Sequence, residues 1–328
     1  MTIKEVARLA GVSPAAVSRY MNGGSISVEK SEKIKAVIEQ TGYRPNPSAQ
    51  VMRTGRGGQI GIIVPKVYSD SVSQILDGVS ARLGEKNYMV ILGTTGGDRD
   101  KEIRYIESMQ NSQVAGIILL GTVMTPRLRD AIAGSEKPVV VTGQNFQGIP
   151  CVYHDDFHAV RELTERMLKR GRTHLAFIGV MEEDAAAGKA RRLGCESAFT
   201  AAGYDVADLH ETIAPFTSDG GRAKMQELLS EYPDIDGVIC ATDRIAHGAM
   251  NAIHAAGRRI PEDIAIAGVG DNWADTISQP PLTTAHLYYR QCGLTAADML
   301  IKLIESEDPD QPVTQTMLEY TIVERKSM

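Results

Sequence analysis

Thr2-Ile3-Lys4-Glu5-Val6-Ala7-Arg8-Leu9-Ala10-Gly11-Val12-Ser13-Pro14-Ala15-Ala16-Val17-Ser18-Arg19-Tyr20-Met21-Asn22 carries the punctuation of two short helices joined by a tight turn. Thr2 and Glu5 have the spacing of a capping box, in which each side chain satisfies a backbone N–H of the other's end of the turn. Val6, Leu9 and Ala10 supply an apolar face, and Gly11 is placed to end the helix in a left-handed conformation. Ser13 reads as the next N-cap, with Pro14 at the first helical position, where a missing N–H costs nothing. The second helix is expected to run to about Asn22 with Val17 and Met21 on one face, and a third from Ser27 to about Thr41 with Ile34, Val37 and Ile38 inward. Two short helices around a turn containing Gly form a helix-turn-helix. In such a unit the second helix enters the major groove of DNA, which would bring Pro14, Ala15, Ala16 and Arg19 to base edges. Arg19 has the geometry to bond a guanine bidentately, worth roughly 1–3 kcal/mol of discrimination, while Pro and Ala offer only apolar contact. From helix pattern alone, a small helical subdomain with a surface arginine fits as well.

Charge separates this head from the rest of the chain. The 328 residues carry a net charge of −6, yet residues 1–58 hold nine Lys and Arg against four Glu, which is +5 and leaves −11 for the remainder. A basic head on an acidic body is the asymmetry expected where one end meets phosphate. Hydrophobic residues make up 43% and charged residues 23%, with no apolar run of the roughly twenty residues a membrane span needs. The start has no basic segment followed by an apolar one, so secretion is not expected and a cytoplasmic place is. Cys151, Cys195, Cys240 and Cys292 are too far apart for a metal motif and read as buried thiols; neither a metal nor a cofactor is expected.

From Gln59 onward, short β-rich runs alternate with amphipathic stretches. Strands are expected at 60–64, 88–92, 116–120, 139–142, 151–153, 175–178, 237–240, 264–269 and 283–286, with helices at 71–86, 101–112, 157–170, 189–202, 220–232 and 246–256. Continuous apolar strands between helices imply buried parallel sheets of doubly wound α/β type, and the strand count implies two similar lobes. Such sheets bind ligands at the carboxyl ends of their strands. Gly93-Thr94-Thr95-Gly96-Gly97 fits neither a dinucleotide nor a Walker fingerprint and reads as a loop. Asp155 and Asp156 lack a nucleophile or metal-ligand spacing and read as a turn or helix cap, and His154 and His158 lack a third ligand. Nothing forms a catalytic constellation, so an enzyme is not expected.

The head resembles that of the lactose/galactose-repressor family almost throughout residues 2–22, and the likeness continues through Gly42-Tyr43-Arg44-Pro45-Asn46. In the body, Ala241-Thr242-Asp243-Arg244-Ile245-Ala246-His247-Gly248-Ala249, the stretch Gly257 to Asn272 and the stretch Pro280 to Leu300 match the same family in order and spacing. The resemblance implies a helix-turn-helix head (1–46), a hinge helix and linker (47–58) and an effector-binding core (59–328). The core would be a periplasmic-binding-protein-like pair of lobes: an N-lobe of about 59–157 and 287–318 and a C-lobe of about 158–286 and 319–328. It implies that Thr2, Ser13, Ser18 and Asn22 touch phosphates, that Pro14, Ala15, Ala16 and Arg19 face bases, and that Tyr43 and Asn46 meet the backbone near the hinge. Residues 47–54 are too few to form a stable helix alone in water. They would fold against DNA and a second copy, with Met52 as a minor-groove wedge where the family usually has Leu, Ala49 and Gln50 beside it and Arg53 near phosphate.

For the effector, the resemblance points to Arg191, Phe216 and Asp271, with Ser71, Gln144 and Asp243 as further candidates. Gly270 departs from the family, where an Asp commonly stands. Gly188 to Arg192 and Val269 to Asn272 look closer to trehalose- and sucrose-type repressors, and Lys189, Arg191 and Arg192 fit either a phosphorylated sugar or solvent-facing charge. The function so implied is a sequence-specific repressor, homodimeric on a pseudo-palindromic double-stranded operator, controlled by a small ligand of sugar type. The absence of a leucine-heptad extension in Glu319 to Met328 favours a dimer over a tetramer. A solute-binding transport protein would share the body, but is expected to have a leader and no basic head.

Overall fold

The Thr2 hydroxyl accepts the Glu5 backbone N–H at 3.3 Å and the Glu5 carboxylate accepts the Thr2 N–H at 2.7 Å, so a reciprocal cap opens helix α1 (Ile3–Ala10). Gly11 ends it at φ 62°, the left-handed conformation the sequence requires. Ser13 Oγ then accepts the Ala16 N–H at 3.2 Å to start α2 (Pro14–Met21), and α3 (Val28–Thr41) closes the unit. Val6, Ala7, Ala10, Val17 and Ile34 form its core, with Val37, Ile38 and Tyr43 packed against them. Ala7, not Leu9, shares the inward face: Leu9 is 54% exposed. The computed structural model describes residues 2–21, 24–43, 58–121, 123–306, 308 and 311–328. Asn22 and the whole span of residues 44–57, with Asn46, Ala49, Gln50, Met52 and Arg53, lie outside the described residues.

The helical unit, Met1–Gly58, and a second unit, Gln59–Met328, are separate compact bodies. In the second, strands β1 (Gly58–Val64), β2 (Tyr88–Thr94), β3 (Val114–Leu120), β4 (Val139–Thr142) and β5 (Cys151–His154) enter one sheet in the order β2-β1-β3-β4-β5. Strands β6 (Leu175–Gly179), β7 (His210–Ile213), β8 (Gly237–Cys240), β9 (Ala265–Gly270) and β10 (Thr283–Leu287) repeat that order in another, β7-β6-β8-β9-β10. A C-terminal segment then supplies the sixth strand of both. β11 (Gln315–Leu318) lies parallel to β5, and β12 (Tyr320–Val323) antiparallel to β10. The central strands are buried on both faces, as parallel sheets covered by helices must be.

The intervening helices are α4 (Asp70–Glu85), α5 (Arg99–Gln110), α6 (Pro126–Ala133), α7 (Asp156–Lys169), α8 (Arg191–Ala201), α9 (Ser218–Glu231), α10 (Asp243–Ala255), α11 (Trp273–Ile277) and α12 (Tyr289–Glu305). Three helix pairs, α4–α12, α7–α8 and α9–α10, approach closely at glycine. At the α9–α10 crossing a Cβ on Gly248 would lie 1.8 Å from the Ser218 carbonyl oxygen, so only glycine admits this approach. The strands and helices foreseen fall within a few residues of those found, with one larger shift: α10 begins at Asp243 because the Thr242 hydroxyl caps it by accepting the Ile245 N–H. Helices α6, α11 and α12, and strands β7, β11 and β12, were not foreseen. The expected helix 189–202 is two pieces, a π-helical turn at Ala185–Ala190 capped by Asp184 and then α8. All four cysteines are free and buried.

Candidate functional site

Because β1–β5 and β6–β10 are parallel, with strand order reversing between β1 and β3 and between β6 and β8, the carboxyl ends of these strands open a crevice. A cavity of about 600 Å³ lies there, within the range of small-molecule sites. One lobe supplies Pro65 and Lys66 after β1, Gly96 and Gly97 after β2, and Thr142 and Gln144 at the end of β4. The other supplies Met181 after β6, Phe216 after β7, and Thr242 and Asp243 after β8. The Gly93–Gly97 loop, read as a plain connection, thus forms part of the wall.

Two polar bridges span the lobes across this crevice. The Gln144 amide donates to Asp184 Oδ1 at 2.7 Å and its carbonyl accepts the Ala186 N–H at 3.1 Å. Arg244 donates to the Tyr68 carbonyl at 3.1 Å and to Asp70 at 3.2 Å. Asp184 also accepts the Ala187 N–H at 2.9 Å, and burial holds its carboxyl above the usual range.

The floor is built where the chain crosses between lobes. Arg191, with a side chain 6% exposed, donates Nε and Nη2 to Asp156 Oδ1, both at 2.7 Å, and Nη1 to the Ala241 carbonyl. Burial opposes its charge, but the Asp156 carboxylate outweighs that and holds the guanidinium above its ordinary pKa. Asp155 caps α7 by accepting the His158 N–H, as a helix-cap reading expects, whereas Asp156 is committed to the ion pair with Arg191, which was not expected. His154 packs edge-on against Tyr289 at 5.1 Å, and its Nε2, like Thr142 Oγ1, is buried and has no hydrogen-bond partner among the described residues.

Asp243 accepts the Thr284 hydroxyl and the Asp271 N–H, both at 2.6 Å. Burial and the neighbouring Asp275 push its carboxyl well above the usual range. Gly270 has a physical reason: φ is 148°, and a Cβ there would meet Asp243 Oδ2 at 2.5 Å. The carboxyl of Asp243 fills the space a side chain at 270 would take.

Of the expected effector residues, Ser71, Gln144, Arg191, Phe216 and Asp243 line this one cavity. Lys189 and Asp271 do not. Lys189 is exposed on the π-helical turn, and Asp271 turns its carboxylate to His286 and Arg325, at 2.9 and 2.5 Å. Arg192 is held by Glu182 and Glu196 instead of facing a ligand. Lys66, Arg99, Arg244, His154, Asp184 and Tyr289 line the cavity and were not foreseen. The rule of inspecting residues just after each strand reaches Lys66 and His154, whereas Asp184 and Tyr289 arrive only through tertiary closure.

On the helical unit, Thr2, Ser13, Pro14, Ala15 and Arg19 are exposed, with Ser18 and Tyr43 half-buried. Ala16 is 5% exposed and faces the core, so it is not available to a base edge. Among the described residues no group of three His, Cys, Asp or Glu could hold a metal ion, and no helix is long and apolar enough to cross a membrane.

Two family models match the chain: "Bacterial regulatory proteins, lacI family" over residues 2–46, and "Periplasmic binding proteins and sugar binding domain of LacI family" over residues 57–322. The chain is 30% identical to the HTH-type transcriptional regulator RegA of Clostridium saccharobutylicum, covering 99% of this chain and 98% of that protein. It is 29% identical to the sucrose operon repressor of Staphylococcus xylosus, covering 95% and 96%. The solved complex of the transcriptional regulator CelR with cellobiose superposes with a TM-score of 0.75 at 28% identity, covering both chains fully. With one model on the helix-turn-helix and the other on the two-lobed body that holds the cavity, the chain belongs to the lacI family of bacterial regulatory proteins.

Proposed function

We propose that the protein is a transcriptional repressor that binds a pseudo-palindromic operator as a homodimer and whose operator affinity is set by a sugar-class ligand in the cavity between its lobes. The observation that carries this reading is the pairing, in one chain, of a helix-turn-helix unit with exposed Pro14, Ala15 and Arg19 and a cavity walled by both lobes. The names of the sucrose operon repressor and of the CelR–cellobiose complex support a disaccharide-sized ligand. Arg19 reads a base, Thr2, Ser13 and Ser18 hold phosphates, and Tyr43 lies near the backbone. Asn22 and Asn46 extend these phosphate contacts. Residues 47–58 serve as the hinge, with Ala49, Gln50 and Arg53 on it and Met52 in the minor groove.

Exposed Met89 and Leu92 on one lobe, and Ile213, Trp273 and Ile277 on the other, are apolar surface that a second copy would bury. With DNA as partner, the protein works in the bacterial cytoplasm at the nucleoid, without a cofactor and without turnover. A ligand touching both lobes changes the equilibrium between open and closed arrangements in proportion to its differential affinity. Passed to the hinge, a coupling of about 1–3 kcal/mol alters operator affinity 5- to 150-fold. Selection of bound sequences from a random duplex library by the full chain should return a two-fold symmetric site. Recovery of no enriched sequence, with or without sugars present, would overturn the reading. Where a site is recovered, adding each sugar in turn identifies inducer or corepressor from the sign of the change.

A further inference from the structure

We propose that Asp243 and Asp275 share a single proton and that its loss loosens α11, so that the surface bearing Trp273 and Ile277 responds to pH. The inference stands on this buried pair and is independent of what the cavity or the helix-turn-helix binds.

The pair joins two elements of the lobe built on β6–β10. Asp243 opens α10 and is 2% exposed, and Asp275 lies within α11 and is 0% exposed. Their side chains are hydrogen-bonded to each other, which two carboxyl groups achieve only when one of them carries a proton. Asn272 ties them further, donating its backbone N–H to Asp275 at 2.6 Å and its amide to Asp243 at 3.4 Å. His247 Nε2 lies 2.8 Å from Asp275 Oδ1 and is the one cation-forming group bonded to either carboxyl among the described residues. The other charges nearby are matched elsewhere: Asp271 with His286 and Arg325, Arg191 with Asp156, and Arg244 with Asp70. Burial pushes the Cys240 thiol and the Tyr289 hydroxyl up, so both stay neutral, and Lys326 is exposed. Two negative charges on the pair would face one imidazole at most, and adjacent buried carboxylates do not both ionise under those terms.

The two carboxyls differ in their freedom to move. Asp243 is confined: the Thr284 hydroxyl and the Asp271 N–H reach it at 2.6 Å. A Cβ on Gly268 would fall 2.4 Å, and one on Gly270 2.5 Å, from its carboxyl oxygens, so the two glycines form a cradle that the carboxyl fills. Asp275 instead sits on a helix of five residues, too short to persist alone. Its carboxyl and Asn272 make the reciprocal cap that starts this helix, on which Trp273 is 72% and Ile277 65% exposed. When the shared proton leaves, repulsion is relieved at the weaker support. Asp275 turns outward, the cap breaks and α11 loosens. The direction follows from the burial that holds the Asp243 carboxyl well above the usual range: the folded chain keeps a proton that the unfolded chain has released, and stability falls as pH rises toward the folded value.

Trp273 is the only tryptophan in the chain, so the anisotropy of its fluorescence reads α11 directly. In the full chain it should fall, reversibly, as pH is raised from about 6 to about 9. Asp243→Asn cannot ionise, and its anisotropy should stay at the low-pH value throughout. Asp275→Asn should behave alike, and serves where the first variant does not fold. Asp271→Asn and His247→Gln leave both acids of the pair in place and should keep the transition. A flat anisotropy in the parent overturns the inference. So does a transition that survives in Asp243→Asn or in Asp275→Asn, or one that Asp271→Asn or His247→Gln abolishes, because it then belongs to another group. None of these outcomes bears on operator or ligand binding, which operator selection decides separately.

Discussion

Removing Arg191 should unbalance the cavity floor. Arg191→Met keeps most of the side-chain volume but deletes the donors at 2.7 Å to Asp156, whose carboxylate is only 4% exposed. Breaking a buried pair from one side costs about 3–5 kcal/mol, because the remaining charge is buried without compensation. For the roughly 270 residues of Gln59–Met328, an unfolding entropy of about 2.1 cal/mol/K per residue makes each kcal/mol worth about 2 °C. The expected loss in Tm is therefore about 5–9 °C, read by differential scanning calorimetry of the full chain. Arg191→Met combined with Asp156→Leu should recover most of it, since an apolar replacement of both partners is commonly neutral. A single variant that melts within about 1 °C of the parent would show that Asp156 is not stranded, and the argument would fail. A double variant as unstable as the single would assign the loss to packing instead.

Glu102 holds its proton up to about 7 in the folded chain, because burial outweighs the pull of Arg99. The unfolded chain releases that proton near 4.5, so the folded state binds more protons between those values and stability falls as pH rises through about 7. Glu102→Gln should stabilise the chain at pH 8, by an amount on the order of 1–3 kcal/mol in denaturant unfolding, and change its stability little at pH 5; an equal effect at both would refute the linkage. Gly248→Ala forces the α9–α10 crossing apart and should cost about 1–3 kcal/mol in chemical denaturation; an unchanged midpoint would mean that the crossing is looser than described. Arg19→Ala should weaken binding to the selected operator by about 1–3 kcal/mol and relax the preference at one base pair per half-site; fluorescence anisotropy with single-base operator variants reads both, and a uniform loss across bases would make Arg19 a phosphate contact.

The head was legible almost to the residue because its caps are local: Thr2, Glu5, Gly11, Ser13 and Pro14 act within a turn or two of where they stand. The buried strands were legible for a similar reason, being apolar runs long enough to outweigh their flanks. The edge strands β7 and β11 alternate in exposure without an apolar run, and nothing local distinguishes them from loops. Helix α12 lacks a side-chain cap to announce its start. Family likeness brought Ser71, Gln144, Arg191, Phe216 and Asp243 to one cavity, and misplaced Lys189 and Asp271 because position in a motif does not fix where a side chain points. Asp271 lies one residue from the cavity-lining Asn272, yet its left-handed φ of 60° and its bond to Arg325 carry its carboxylate elsewhere. Lys66 shows the converse, an unremarkable lysine in sequence that the fold brings to the cavity wall with Tyr68, Phe216 and Arg244.

One residue, Glu319, separates β11 from β12, and those two strands finish different sheets. The two lobes are therefore not modules that can be exchanged at a boundary in the gene. A recombination event anywhere between β5 and β10 would join halves from different parents within one lobe and leave the terminal strands matched to only one of them. A chain cut after Glu305 would strip an edge from both sheets together. The pair must be inherited, and drift, as a single piece.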